Sequence, residues 1–466
     1  MKSKDPALLT TGNPARRIVV FALPIFAGDF LHVFYTMADT FIVGRWIGIN
    51  ALAAAGAGAS VIHFIFSVII GLTAGFTVIT AQRVGGLSKH AVNTNTVGIN
   101  TDGSNSGGDR EEGIRRSVAA GLSLSLFTSV IISVLFLFLT RPLLSFMRTP
   151  AEIIDNASFY VLIISSGIGV FMFYNLLTGI IHAGGDSFTP LIFLIIGSVG
   201  NIALDILFVA VLSWGVPGAA AATVLSEFFA LLLILLFVFR RFRSFLPRKQ
   251  DWSAVRGEWR THLSLGIAMA LQRCIVEVGN LLVQAAINGL GALTIAAVSA
   301  AQRVRGLNMI PLFSVSRAVT TYTAQNYGAG RMDRVYRGLF QACMLSLLLG
   351  VFMAILNQFT GTPIVALFLK DSPEAIALAR QYILYTGYTV FILGIMLAFR
   401  SCLQGLGKRS VPILCGVMET AMSILAAFVL IPRLGFTGVC LVNPLSWLAS
   451  GIPLYVAFWV LRRREA

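Results

Sequence analysis

Long apolar runs separated by short polar segments dominate this chain. A bilayer-spanning helix needs about 20 predominantly apolar residues. Twelve runs meet that length: 17–43, 51–82, 117–140, 158–181, 188–212, 217–239, 263–287, 292–325, 337–360, 378–402, 410–431 and 437–461. Several are longer than one bilayer crossing, so tilt or extension beyond the membrane is expected. The pattern predicts an all-α integral membrane fold with twelve transmembrane helices. A polar segment, Met1 to Arg17, precedes the first run, which lacks a small-residue cleavage site and therefore reads as a retained helix.

The pattern also repeats. TAQRVGG at 80–86 matches TAQNYGAG at 323–330, GIIHAGGDSFTP at 179–190 matches SCLQGLGKRSVP at 401–412, and WGVPGAAAA at 214–222 matches LGFTGVCLV at 434–442. The order is kept, so the expectation is two homologous six-helix lobes, 1–245 and 263–466, joined by a basic linker at 246–262. Six is even, so the lobes share one orientation and form parallel repeats. One stretch breaks the repeat: residues 87–107, rich in Asn, Thr, Gly and Ser, have no counterpart in the second half. With almost no apolar anchor, this insert is expected to be a disordered cytoplasmic loop.

Composition agrees with the pattern. Only 12% of residues are charged and 56% are hydrophobic, and the mean hydropathy is +0.83. A soluble surface carries about twice that share of charge. The net charge of +15 does not point to nucleic acid, because the cations lie in short loops between apolar runs. Counting spans from a cytoplasmic N-terminus puts only Arg45, Arg141, Arg148, Lys370, Arg380 and Arg433 outside. Arg273, Arg303, Arg305, Arg317 and Arg400 fall within spans, and the remaining Lys and Arg fall in cytoplasmic segments. That bias predicts a multi-pass protein of the inner (cytoplasmic) membrane with both termini cytoplasmic. The five cysteines are odd in number and show no CxxC spacing, so neither a disulfide framework nor a zinc site is expected.

Ionisable residues inside apolar runs are costly and need a partner, a wet cavity or a neutral form. Asn201 and Asp205 stand four apart and share a helix face. A carboxylate and an amide oxygen on one face suit a hard cation or a shuttled proton, and Thr223 in the next run offers a hydroxyl. His32, Tyr35, Thr36 and Asp39 form a polar stripe on the first helix. Spacing alone leaves open whether these residues handle a cation or only bond helices together. Asp29, Glu227 and Glu277 are further acidic candidates for a secondary coupling or substrate site. Tyr35, Phe171 and Tyr174 are candidates to line a cavity, although aromatic residues at helical spacing more often pack. Arg273 with Glu277, and Arg400 with Glu419, read as charge pairs.

Several longer segments are shared with a known family: ALPIFAGDFLHVFYTMADTFIVGRWIGINALAAAG, NLLTGIIHAGGDSFTPLIFLIIGSVGNIALDILFV, WGVPGAAAATVLS, TAQNYGAGR and LQGLGKRSVP. On these the chain resembles the multidrug and toxic compound extrusion (MATE) family over nearly its whole length apart from the insert. The resemblance implies two six-helix bundles around a central cavity and exchange of an organic substrate for protons or sodium. It also implies a cation-responsive site of Asp39 (in MADTFIVG), Asn201 and Asp205 (in NIALD) and Thr223, with sodium as one occupant. Asp29 and Glu227 depart from the family pattern. Some relatives use acidic residues of the second lobe, where the match to Glu277 is loose.

The chain is expected to be no enzyme and to need no cofactor beyond the coupling ion. GLGKRS at 405–410 has Arg409 where a phosphate-binding loop needs Ser or Thr, and no HExxH or GxSxG occurs. Expected partners are small organic substrates, cationic or amphipathic, and membrane lipids, with a monomer as the working unit. A flippase for a lipid-linked oligosaccharide is the main alternative. It calls for a basic cavity, whereas the recognisable cluster here is acidic.

Overall fold

The computed structural model describes residues 9–88, 107–369 and 372–465, and it is helical with no strand among them. The helices are α1 (Pro14–Trp46), α2 (Ile49–Gly85), α3 (Gly107–Phe146), α4 (Ala151–Ser166), α5 (Ile168–Ala183), α6 (Phe188–Asp205), α7 (Gly215–Arg241), α8 (Val255–Asn288), α9 (Ala292–Gly328), α10 (Met332–Ala366), α11 (Pro373–Gly405), α12 (Ser410–Leu425), α13 (Ile431–Leu434) and α14 (Phe436–Glu465). The insert expected at 87–107 lies, from 89 to 106, outside the described residues.

Among the described residues ten helices are long and apolar enough to cross a membrane, and an eleventh span is the pair α4–α5, bent by 47°. The sequence pattern predicts one continuous span there. The chain breaks at Gly167, where an added Cβ would meet the Val224 methyls at 2.8 Å, so only glycine admits α7 this closely. The twelfth helix, α9, has 37 residues but carries Arg303, Arg305 and Arg317, which lower its apolar character. α3, with 40 residues, would reach about 60 Å, roughly twice a bilayer core. Its outward face is apolar, with Leu137 61% and Phe138 70% exposed, as lipid contact demands.

The chain divides into two compact units. One contains Ala27–Ala270, and its core joins α2, α3, α4, α5 and α7 through Ile65, Phe76, Leu124, Ile164, Met172 and Ile234. The other contains Leu9–Phe26 and the chain from Leu271 onward, with a core of α9, α10, α11 and α14 around Tyr322, Leu397 and Trp447. Each half's leading helix therefore begins in the other half's unit. The repeated TAQ motifs hold these leading segments. In the second unit Gln325 Oε1 accepts from the Leu9 amide at 2.7 Å, and Arg334 donates to the carbonyls of Gly12 (2.8 Å) and Leu9 (3.2 Å). In the first, Arg83 donates to both Glu258 oxygens at 2.7 and 2.6 Å, and Arg115 pairs with the fully buried Asp251 at 3.2 Å. Gly71 and Gly75 of α2 then let the backbone of α8 approach at Ala270 and Gly266, a small-xxx-small contact.

The repeat is visible in backbone geometry. α6 runs into a π-helical turn at Ile206–Val211, and α12 into one at Ala426–Leu430. After each turn the chain reverses through a left-handed glycine, Gly215 (φ 66°) and Gly435 (φ 57°), which occupy matching places in WGVPG and LGFTG. A side chain at either position would be strained by backbone conformation alone.

Candidate functional site

α6 is built inside out. Its fully buried residues are Pro190, Asn201 and Asp205, while Ile195, Ile196, Val199 and Ile206 are 41%, 46%, 63% and 45% exposed. Apolar side chains gain nothing by avoiding lipid, so the face turned inward is selected by polarity. Asn201 Nδ2 and Oδ1 and both Asp205 carboxylate oxygens are buried without a hydrogen-bond partner in the protein. A buried polar group left unmet costs about 1–3 kcal/mol, and more if charged. Four such atoms on one helix face mark a place where a proton, an ion or water completes the bonding.

The Asp205 carboxyl faces that of Asp39, from α1, within interaction range. Two ionised carboxylates are acceptors only, so they bond to each other only through a shared proton or a bridging cation. Asp39 Oδ1 is likewise buried and unpartnered. An apolar cluster of Ile42, Val43, Ala51, Val209, Val216 and Ala219 packs one turn beyond these carboxylates along α1 and the turn after α6. Thr223 lies one turn from Ala219, to whose carbonyl its hydroxyl donates at 3.0 Å. That bond uses the hydroxyl proton and leaves oxygen lone pairs available to a cation.

A ring of phenols adjoins the carboxylates. Tyr35 lies in electrostatic range of Asp39, Asp205, Glu227 and Tyr160, and Tyr174 lies in range of Glu227 and Tyr35. Tyr160 on α4 lies in electrostatic range of both Asp39 and Asp205. Nothing in the sequence singles Tyr160 out, because it follows no polar spacing and depends on how α4 meets α1 and α6. Glu227, one turn past Thr223, joins the acidic group through the tyrosines. Three candidates lie elsewhere. Asp29 stands ten residues before Asp39, about 15 Å along α1. Phe171 packs in the core edge-to-face against Phe66, with centroids 4.9 Å apart. Glu277 belongs to the second unit, where it and Glu419 stand among Arg273 and Arg400 in one charge-balanced group.

The chain as a whole has parallels among known proteins. A family model described as MatE matches residues 24–99, 101–207 and 268–429. The chain belongs to the MatE family. MATE proteins are transporters, so this is a multi-pass membrane transporter and not an enzyme. It is similar to the probable multidrug resistance protein YpnP of Bacillus subtilis, 27% identical over 87% of this chain and 85% of the relative. A FAD transporter of Shewanella oneidensis is 23% identical over 97% of this chain and 96% of its own length. Among solved structures, an outward-facing multidrug resistance MATE transporter of the MOP superfamily superposes with a TM-score of 0.87 at 21% identity, covering 100% of both chains. The twelve-helix, two-lobe expectation agrees with this MATE fold. Among the described residues no three His, Cys, Asp or Glu side chains gather as a metal-binding group. Facing inward are the two carboxylates of Asp39 and Asp205 and the amide of Asn201.

Proposed function

We propose that the protein is a secondary active antiporter of the cytoplasmic membrane, with both termini cytoplasmic, that exports small cationic or amphipathic compounds in exchange for protons or sodium. The observation that carries this reading is the set of orphaned, buried polar atoms on Asn201 and Asp205 facing Asp39. In the outward-open state a proton or sodium ion enters and neutralises the facing carboxylates, with Asn201 and Thr223 as neutral ligands to sodium. Neutralisation lets the carboxylates of α1 and α6 approach and weakens attraction for a cationic substrate, which leaves outward. The cation is released inward after the change of access. Asp29 lies along the same α1, and Tyr35, Tyr174 and Glu227 line the way from this site. The similarity to curated multidrug resistance proteins supports the substrate class.

The test is efflux of a fluorescent organic cation from vesicles under imposed proton and sodium gradients. Wild type exports under at least one gradient, and Asp39→Asn and Asp205→Asn fall to the level of vesicles without protein. Variants that export like wild type would move coupling elsewhere. Wild-type vesicles that move no cation under either gradient would overturn the drug-exporter reading and bring forward a lipid-linked or anionic substrate. Similarity to a FAD transporter favours an organic anion as that second reading.

A further inference from the structure

The first unit carries an apolar groove that the coupling site does not use. It is an open groove of about 530 Å³ lined by Leu126, Phe127 and Val130 of α3, Phe173 of α5 and Trp252 of the linker. That volume is within the range of small-molecule sites, about 300–1,000 Å³. Its one polar lining side chain, Ser123, already accepts a hydrogen bond from Trp259 Nε1 at 2.9 Å, and Trp259 stacks on Phe127 with centroids 6.1 Å apart. The groove thus presents only hydrocarbon and aromatic surface.

The exposed charge of the linker beside it is one-sided. Lys249–Trp252 form a 3₁₀ turn, in which residues three apart eclipse one another, so Lys249 and Trp252 share a face. The same turn directs Asp251 inward, fully buried, onto Arg115. The next acidic residue, Glu258, is held by Arg83. Both linker carboxylates are therefore spent inside the unit, while Arg248, Lys249 and Arg256 stay exposed. An apolar slot that ends in an indole and a cationic turn matches one kind of ligand in a bilayer, an acyl chain bearing an anionic headgroup.

We propose that this groove and turn form a binding site for an anionic diacyl phospholipid of the linker-side leaflet. One acyl chain lies along Leu126, Phe127 and Val130 against Trp252, and the phosphate meets Arg248, Lys249 and Arg256.

The experiment uses the full chain in phosphatidylcholine vesicles, with acyl-brominated phosphatidylglycerol or acyl-brominated phosphatidylcholine titrated in and tryptophan emission read. Brominated phosphatidylglycerol quenches a saturable fraction at a severalfold lower mole fraction than brominated phosphatidylcholine. Trp252→Phe removes that fraction. Arg248→Ala/Lys249→Ala/Arg256→Ala abolishes that severalfold headgroup preference. These three side chains are exposed, so the fold should not depend on them. High salt weakens the preference in wild type but not in the triple variant. Equal quenching by the two lipids, a preference unchanged in the triple variant, or a saturable fraction that survives Trp252→Phe would each overturn the proposal. So would displacement of the quenching lipid by inorganic phosphate alone, which would assign the site to free anions.

Discussion

Asp205 immediately precedes the π-helical turn of the first half, and Leu425 occupies the matching place in the second. The first is fully buried with both oxygens unmet; the second is 45% exposed. The backbone plan is the same on both sides, including the left-handed glycine after each turn. The second half has its own intramembrane charges, but there Glu277 and Glu419 stand among Arg273 and Arg400. Carboxylates balanced by guanidinium groups have their counter-charge within the protein. Among the described residues Asp39 and Asp205 show no such partner, and on that contrast rests the proposal that the coupling site lies in the first half.

The largest expected effect breaks that contrast directly. Asp205→Asn is expected to abolish gradient-driven efflux, whereas Glu277→Gln is expected to keep it and change substrate preference. Parallel vesicle assays under proton and sodium gradients read both, and the opposite result would transfer coupling to the second half. Next in size are the clamps on the leading segments. Arg115→Ala leaves Asp251 charged and buried with the Arg248 amide as donor but without its cation, which should cost about 3–5 kcal/mol and lower the unfolding temperature in detergent. Arg334→Ala in the second unit frees carbonyls instead of a carboxylate, so the loss should be smaller, about 1–3 kcal/mol. A larger shift for Arg334→Ala would reverse the ranking of the two clamps.

Two smaller tests sharpen the comparison. Gly215→Ala and Gly435→Ala should each destabilise by about 1–2 kcal/mol through backbone strain, since a Cβ at Gly215 meets no atom nearer than 4.0 Å and at Gly435 none within 4 Å. Unequal losses in thermal unfolding would show that the matched turns bear different loads. Thr223→Val removes one neutral oxygen and should raise the cation concentration for half-maximal efflux roughly fivefold. Thr223→Ser should restore it, and a Val variant with an unchanged requirement would exclude the hydroxyl from the cation's ligands.

Much of this was legible in the order of residues. The run lengths predict the spans because a bilayer imposes a fixed apolar length. The matched motifs predict the repeat, and both halves do turn at Gly215 and Gly435. The four-residue spacing of Asn201 and Asp205 puts them on one face because an α-helix has no other geometry. Other features were not legible. The close seat of α7 at Gly167 depends on Val224, 57 residues away, standing where a Cβ would be. Tyr160 joins the acidic group only because α4 brings it to Asp39 and Asp205. Phe171 and Tyr174, three apart on α5, part company: one packs on Phe66 while the other lies in range of Glu227.

By itself the sequence determined which segments span the membrane, that they form two like halves, and which polar residues carry the family pattern, because these follow from hydrophobic length and local periodicity. Only the tertiary structure decided that Asn201 and Asp205 are buried with no protein donor, that Glu277 is balanced by arginines, and that Asp251 and Glu258 are withdrawn from the linker surface. Whether a charge is met or left unmet depends on what distant parts of the chain place within a few ångströms of it, and no local spacing encodes that.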